Sequence, residues 1–300
     1  MKILLTGATG QVGWELARSL QPLGEVVACD RRRADLSDPV GLAAMVESIA
    51  PQVIVNAAAY TAVDRAEQEP ELASTINGDA PGALAAAARR LDALFVHYST
   101  DYVFDGGGNA PRNDKAPVAP INAYGRSKLA GERAIAQAGG NWLVLRTSWV
   151  YASRGSNFVR TMLRLAAERE SLRVVADQFG APTSARLIAD ATALIVRQAL
   201  EERAQGRFAS EILHLCASGE TSWHGFAQAI FDGWRELAGK DSLKLRELLP
   251  IPSAEYPTPA ARPLSSRLDC ARVRERFGIH LPDWRDGLRL VLEEIAERTA

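Results

Sequence analysis

Short apolar runs alternate with longer helical patterns through the first half of the chain. Lys2 to Leu5, Val26 to Cys29, Gln52 to Asn56, Leu94 to Tyr98 and Leu143 to Arg146 read as strands. Between them, Gln11 to Leu20, Val40 to Ile49, the Ala-rich Gly82 to Leu91 and Tyr124 to Gln137 read as helices. The strand runs are apolar throughout rather than alternating, which is the pattern of strands buried on both faces. Repeated strand–helix units of this kind predict an α/β fold with a Rossmann-type doubly wound parallel sheet, covered by helices on both sides.

After Val150 the pattern changes. Phe158 to Glu168 and Ala185 to Glu202 read as helices, with a strand-like Arg173 to Ala176 between them. Glu211 to Cys216 reads as one more strand of the main sheet. From Thr221 the chain is mostly helical, interrupted by a Pro-rich loop from Pro250 to Pro263 and closed by an amphipathic helix from Trp284 to Glu297. The expected division is a nucleotide domain over residues 1–150, with about 185–218 returning to it. Residues 151–184 and 219–300 would form a smaller C-terminal α/β substrate domain.

Composition narrows the class. The 300 residues are 47% apolar and 24% charged, with a net charge of -1, so no bulk positive charge is present for nucleic acid. Cys29, Cys216 and Cys270 have neither metal nor disulfide spacing, and an odd count of three suits a reducing cytosol. The opening run Ile3-Leu4-Leu5 is shorter than the roughly 7–15 apolar residues of a signal-peptide core. No run approaches the ~20 residues of a membrane span. The expectation is a cytoplasmic chain with no membrane partner.

Gly7-Ala8-Thr9-Gly10-Gln11-Val12-Gly13 falls between the first strand and the first helix. Glycines there permit a tight turn and bring backbone N–H groups to a pyrophosphate, which a helix N-terminus favours electrostatically. Asp30 ends the second strand about 20 residues on, where a carboxylate accepts from adenosine ribose hydroxyls. Arg31, Arg32 and Arg33 follow. They read either as a solvated run or as partners for a 2′-phosphate, so the cofactor is NADPH or NADH. Asp35 and Leu36 lie in the next loop, where an acid would meet the adenine amino group.

Tyr124 and Lys128 stand four apart, on one face of a helix. A phenol with a pKa of about 10 is a reluctant acid and a poor base at neutral pH. A neighbouring ammonium is expected to lower that value. Thr100 ends the fourth strand, and the carboxyl ends of such strands face the cofactor crevice. Its hydroxyl would share a substrate carbonyl oxygen with Tyr124. Trp149 follows the next strand and offers either a stacking face or core packing. Arg262 and Arg267 read as diphosphate ligands or as solvated charges. His97, His214, His224 and His280 show no metal or triad spacing and read as structural.

With these motifs the chain resembles the extended short-chain dehydrogenase/reductase superfamily and, within it, the dTDP-4-dehydrorhamnose reductase family. The less generic segments are Asn56-Ala57-Ala58-Ala59-Tyr60-Thr61-Ala62-Val63-Asp64, Ser99-Thr100-Asp101-Tyr102-Val103-Phe104, Arg146-Thr147-Ser148-Trp149-Val150-Tyr151 and Pro257-Thr258-Pro259-Ala260. The resemblance implies NAD(P)H-dependent reduction of a 4-keto dTDP-sugar, with Thr100, Tyr124 and Lys128 as the catalytic set. It implies Gly10, Gln11 and Val12 at the pyrophosphate, and Ala59 and Thr61 along the cofactor. Thr100, Asp101 and Trp149 would contact the sugar nucleotide. Asn77 matches the family's helix asparagine, or is a buried amide satisfied by backbone.

Departures from related subfamilies sharpen the reaction. Sugar 4,6-dehydratases carry an acid pair after the threonine, whereas Asp101 is followed here by Tyr102. Epimerase-reductases use a cysteine, and none lies between Cys29 and Cys216. Some relatives bind Mg²⁺ at a dimer interface through glutamates of the first and last helices, which would be Glu15 and Glu294; the chain is thus expected as monomer or homodimer. Two alternatives stand: a reductase or epimerase of another nucleotide sugar, and a non-catalytic NAD(P)-binding regulatory subunit.

Overall fold

The computed structural model describes residues 1–299. Six parallel strands form its centre: β1 (Lys2–Thr6), β2 (Glu25–Cys29), β3 (Val53–Asn56), β4 (Leu94–Thr100), β5 (Asn141–Thr147) and β6 (Glu211–His214). Their spatial order is β6-β5-β4-β3-β1-β2. The order reverses between β1 and β3, which opens a crevice at the carboxyl ends of those two strands.

Period-two burial explains why the strands are apolar throughout. Ile3, Leu5, Val53, Val55, Leu94, Val96, Leu143 and Leu145 enter one core. Leu4, Ile54, Phe95 and Val144, the residues between them, enter a second core on the opposite face. At about 1.5–3 kcal/mol for each large apolar side chain buried, both faces favour this register over a one-residue slip.

Helices α1 (Gln11–Ser19), α2 (Pro39–Ile49), α3 (Ala80–Arg90) and α4 (Ala123–Ala138) connect the strands. Asp38 caps α2 at the Gly41 N–H and Asn122 caps α4 at the Gly125 N–H, each through its side chain. The Ala-rich helix begins earlier than the sequence suggests. Pro70–Ser74 is already helical, and a π-helical turn over Thr75–Asp79 leads directly into α3. Pro81 obscured this continuity, because a proline inside a helical pattern normally marks a break.

Beyond β5 come α5 (Phe158–Glu168), α6 (Ala185–Ala204), α7 (Trp223–Ala238) and α8 (Trp284–Thr299). Ile188 and Ile195 of α6 join the core of the main sheet, and β6 pairs with β5 in parallel. Phe226, Ile230, Trp284 and Leu288 build a third core with Val159. The expected strand at Arg173–Ala176 is Ser171–Val175, paired in parallel with Glu247–Ile251. The Pro-rich loop therefore starts one residue after that second strand, at Pro252 rather than Pro250. Pro250 is tolerated in a two-stranded sheet, where every strand is an edge. No helix among the described residues is long and apolar enough to cross a membrane.

Candidate active site

The turn after β1 is shaped by close backbone approach. Gly7 has φ +70°, and a Cβ there would lie 2.6 Å from the Ala58 backbone nitrogen. A Cβ at Gly13 would lie 2.0 Å from the Gly7 carbonyl oxygen. Gly10 is the N-cap of α1 and no side chain caps that end, so the first N–H groups of the helix point into the crevice. A cradle this tight, walled by backbone N–H groups and a positive helix end, fits a pyrophosphate.

One cavity of about 640 Å³ runs from this turn across the strand ends. Gly7, Gly10, Gln11, Val12, Asp35, Leu36, Ala59 and Thr61 line it, as do Thr100, Asp101, Tyr124, Lys128 and Trp149. Gly13 and Asp30 are not among the lining residues. Gly13 instead gives α1 its close packing on the Gly7 carbonyl. The Asp30 carboxylate accepts from the backbone N–H groups of Arg32 and Arg33 at 3.1 and 3.2 Å, closing the turn after β2. Of the three arginines there, Arg31 alone lines the cavity, and it is exposed beside Asp35.

Thr100 ends β4, where its oxygen accepts from the Tyr102 N–H at 3.2 Å and its hydroxyl donates to Asp101 at 3.0 Å. Thr100 and Tyr124 both line the cavity. The phenol of Tyr124 is pushed up to about 12, chiefly by burial, with the neighbouring Thr100 hydroxyl opposing and the Asp101 charge adding. This corrects the expectation that Lys128 makes the phenol acidic. Lys128 turns its amine the other way, donating to the Tyr98 carbonyl at 2.7 Å and meeting His97 Nε2 at 3.1 Å. Burial pulls Lys128 down to about 8 against the raising effect of Glu132. Asp101 is pushed up to about 6 by burial, with the Ser266 and Thr100 hydroxyls opposing.

Trp149 has φ +48° and stacks on Trp223 with ring centroids 3.6 Å apart and planes 11° apart. A Cβ at Gly180 would press on its ring at 2.7 Å, so this indole is held from two sides. Asn77 sits within the π-helical turn, a feature frequent at functional sites. Its amide accepts from the Tyr60 N–H and donates to the Tyr60 carbonyl, both at 2.9 Å, and it donates to Ser127 Oγ at 3.0 Å. It therefore ties the loop after β3 to α4. Arg262 pairs with Asp64 at 2.8 Å and Arg267 with Glu220 at 2.6 Å, and neither lines the cavity.

Sequence patterns missed His97. It is buried between Asn56 and Lys128, and the signal was its place two residues after Phe95, on the strand face whose core includes Ile135 of α4. Mg²⁺ is not supported. Burial raises the Glu15 carboxyl, Arg186 at 3.7 Å opposes that rise, and Glu294 adds a smaller raising effect. Among the described residues no three His, Cys, Asp or Glu side chains gather as metal ligands.

A doubly wound parallel sheet, a glycine cradle at its first turn and a Thr–Tyr–Lys group facing it define a dinucleotide-dependent oxidoreductase of the extended short-chain type. The chain belongs to the family described as the RmlD substrate-binding domain, whose model matches residues 1–297. It is 56% identical over 295 residues to the dTDP-4-dehydrorhamnose reductase of Burkholderia thailandensis, covering 98% of this chain and 99% of that one. Against the Escherichia coli K12 enzyme of the same name identity is 49%, with both chains covered in full. The crystal structure of the Bacillus anthracis dTDP-4-dehydrorhamnose reductase in complex with NADP superposes with a TM-score of 0.85. That protein is 33% identical, with 98% of this chain and 99% of that chain covered.

Proposed function

We infer that this chain reduces the 4-keto group of dTDP-4-dehydro-β-L-rhamnose to give dTDP-L-rhamnose, the last step of dTDP-rhamnose synthesis. The observation that carries this reading is one cavity holding both the glycine cradle and the Thr100–Tyr124–Lys128 group, in a chain half identical to reductases of that name.

NADPH or NADH fits the cradle and, when bound, supplies the hydride. Gly7, Gly10, Gln11 and Val12 would hold its pyrophosphate, and Asp35 and Leu36 its adenine end. Ala59 and Thr61 would line its path to the strand ends. Residues 1–150 with 185–218 form the dinucleotide half; 151–184 and 219–300 form the sugar-nucleotide half.

Tyr124 is the proton donor. With its phenol at about 12 it is fully protonated at neutral pH, which is the state a general acid needs. An alkoxide developing at C4 is the stronger base and takes that proton. Thr100 hydrogen-bonds the same oxygen and stabilises its charge. Lys128 holds the nicotinamide ribose. Asp101 and Trp149 orient the sugar nucleotide, with Trp149 already set by Trp223 and Gly180.

The intact Tyr124 and Lys128 argue against a purely regulatory role. NAD(P)H oxidation on adding dTDP-4-dehydro-L-rhamnose, with the product identified by NMR, tests the reading. Cofactor binding without turnover on any keto-sugar nucleotide would favour the regulatory alternative.

A further inference from the structure

A buried chain of hydrogen bonds runs behind the site from β1 to α4. The Thr6 hydroxyl donates to Asn56 Oδ1 at 2.6 Å, and the Ala58 backbone N–H donates to the same oxygen at 3.1 Å. Asn56 Nδ2 faces His97 Nδ1 at 3.1 Å. His97 Nε2 faces Lys128 Nζ at 3.1 Å, and Lys128 also reaches the Tyr98 carbonyl at 2.7 Å. Thr6 and Asn56 are wholly buried, His97 and Lys128 almost so.

The polarity of this chain follows from its one unambiguous donor. The Ala58 N–H can only donate, so the Asn56 oxygen faces it and the amide nitrogen faces the imidazole. His97 Nδ1 must then accept and carries no proton. A neutral imidazole in that state bears its proton on Nε2, aimed at Lys128. An ammonium has no lone pair and would set N–H against N–H. A neutral amine accepts from Nε2–H and still donates to Tyr98. An imidazolium does not resolve the conflict, because its Nδ1–H would face the Asn56 amide; burial holds His97 well below its usual range.

We propose that Thr6, Asn56 and His97 form a positioning relay that favours the neutral amine of Lys128 in the free protein, and that Lys128 takes up a proton when an anionic dinucleotide fills the crevice. Of the groups around Lys128, Glu132 favours the charged form and burial opposes it. From β4 come His97 and the Tyr98 carbonyl; on its own helix stand Tyr124 and Glu132. Glu132 is neutralised by Arg146 of β5 at 2.6 Å. Burial, the first cause of the lowered Lys128 value, acts in the same direction as the relay. The protonation of the free protein rests on hydrogen-bond polarity and burial, whereas the uptake step rests on the dinucleotide reading above.

The chain has five lysines, so ¹⁵N and ¹³C NMR of labelled Lys and His residues resolves the pair. In the free protein at about pH 9, above the lowered Lys128 value, His97 should show a protonated Nε2 and a bare Nδ1. Lys128 should titrate at least about one unit below the other four lysines. A proton on Nδ1, or a Lys128 that stays charged with the others, overturns the proposal. Asn56→Asp provides the reversal: a carboxylate accepts from Nδ1–H, bares Nε2 and restores the ammonium. Lys128 should then titrate at least about one unit higher than in the parent. Unchanged titration in a folded Asn56→Asp variant also overturns it, and if that variant does not fold the parent spectra decide alone. Calorimetry of NADPH binding at about pH 8.5, in buffers of different ionisation enthalpy, should show net proton uptake. Binding without uptake removes the second half of the proposal, while no NADPH binding removes the dinucleotide reading and leaves the His97 tautomer standing.

Discussion

A methyl group at Gly7 would stand 2.6 Å from the backbone nitrogen of Ala58, so the turns after β1 and β3 meet backbone to backbone. This contact sets the floor of the crevice at the point where the strand order reverses.

Gly7→Ala should therefore weaken NADPH binding by about tenfold or more. A left-handed alanine alone costs about 1–2 kcal/mol, and the wedge between the two turns adds to it. Gly206→Ala is the matched control, since Gly206 has φ +65° but nothing within 4 Å of its Cβ. It should show the strain in thermal stability with NADPH affinity intact. Fluorescence titration of both variants distinguishes the wedge from the strain.

Tyr124→Phe should keep cofactor affinity and lose about 10²–10⁴-fold in turnover, the usual cost of a missing general acid. Pre-steady-state NADPH oxidation reports it directly. Near-normal turnover would remove Tyr124 from the mechanism.

Asp101 gives a pH-dependent stability. Its folded carboxyl is raised from 3.8 to about 6 by burial, so between those values the unfolded chain ionises and the folded chain does not. Its contribution is fully present below about 4 and is lost as pH rises toward 6. Asp101→Asn should thus match the parent at low pH and be about 2–3 kcal/mol more stable above about pH 7. Urea denaturation at three pH values reads the difference; a constant difference across them contradicts the burial argument.

Glu132 and Arg146 form a buried ion pair at 2.6 Å, both nearly inaccessible. Glu132→Gln leaves the guanidinium uncompensated and should cost about 3–5 kcal/mol in chemical denaturation. A loss below about 1 kcal/mol would mean that water reaches Arg146.

The sheet was legible because its inner strands are buried on both faces and carry little polar alternation to confuse the period. The Gly7 turn and the Thr100, Tyr124 and Lys128 group were legible as spacings at predicted strand ends. Two kinds of feature were not. The π-helical turn at Thr75–Asp79 hides behind Pro81, because local propensity reads a proline as an end rather than an entry. The direction of Lys128 hides because spacing four places it on the Tyr124 face of the helix but says nothing of β4 beneath. The partner that turns it, His97, lies 31 residues away and meets it only through the sheet.

The most direct test adds dTDP-4-dehydro-L-rhamnose to the protein with NADPH, and separately with NADH, and follows cofactor oxidation with NMR of the sugar product. Oxidation that yields dTDP-L-rhamnose, and that is lost in Tyr124→Phe, is the expected result. Cofactor that binds but stays reduced with this substrate would contradict the assignment.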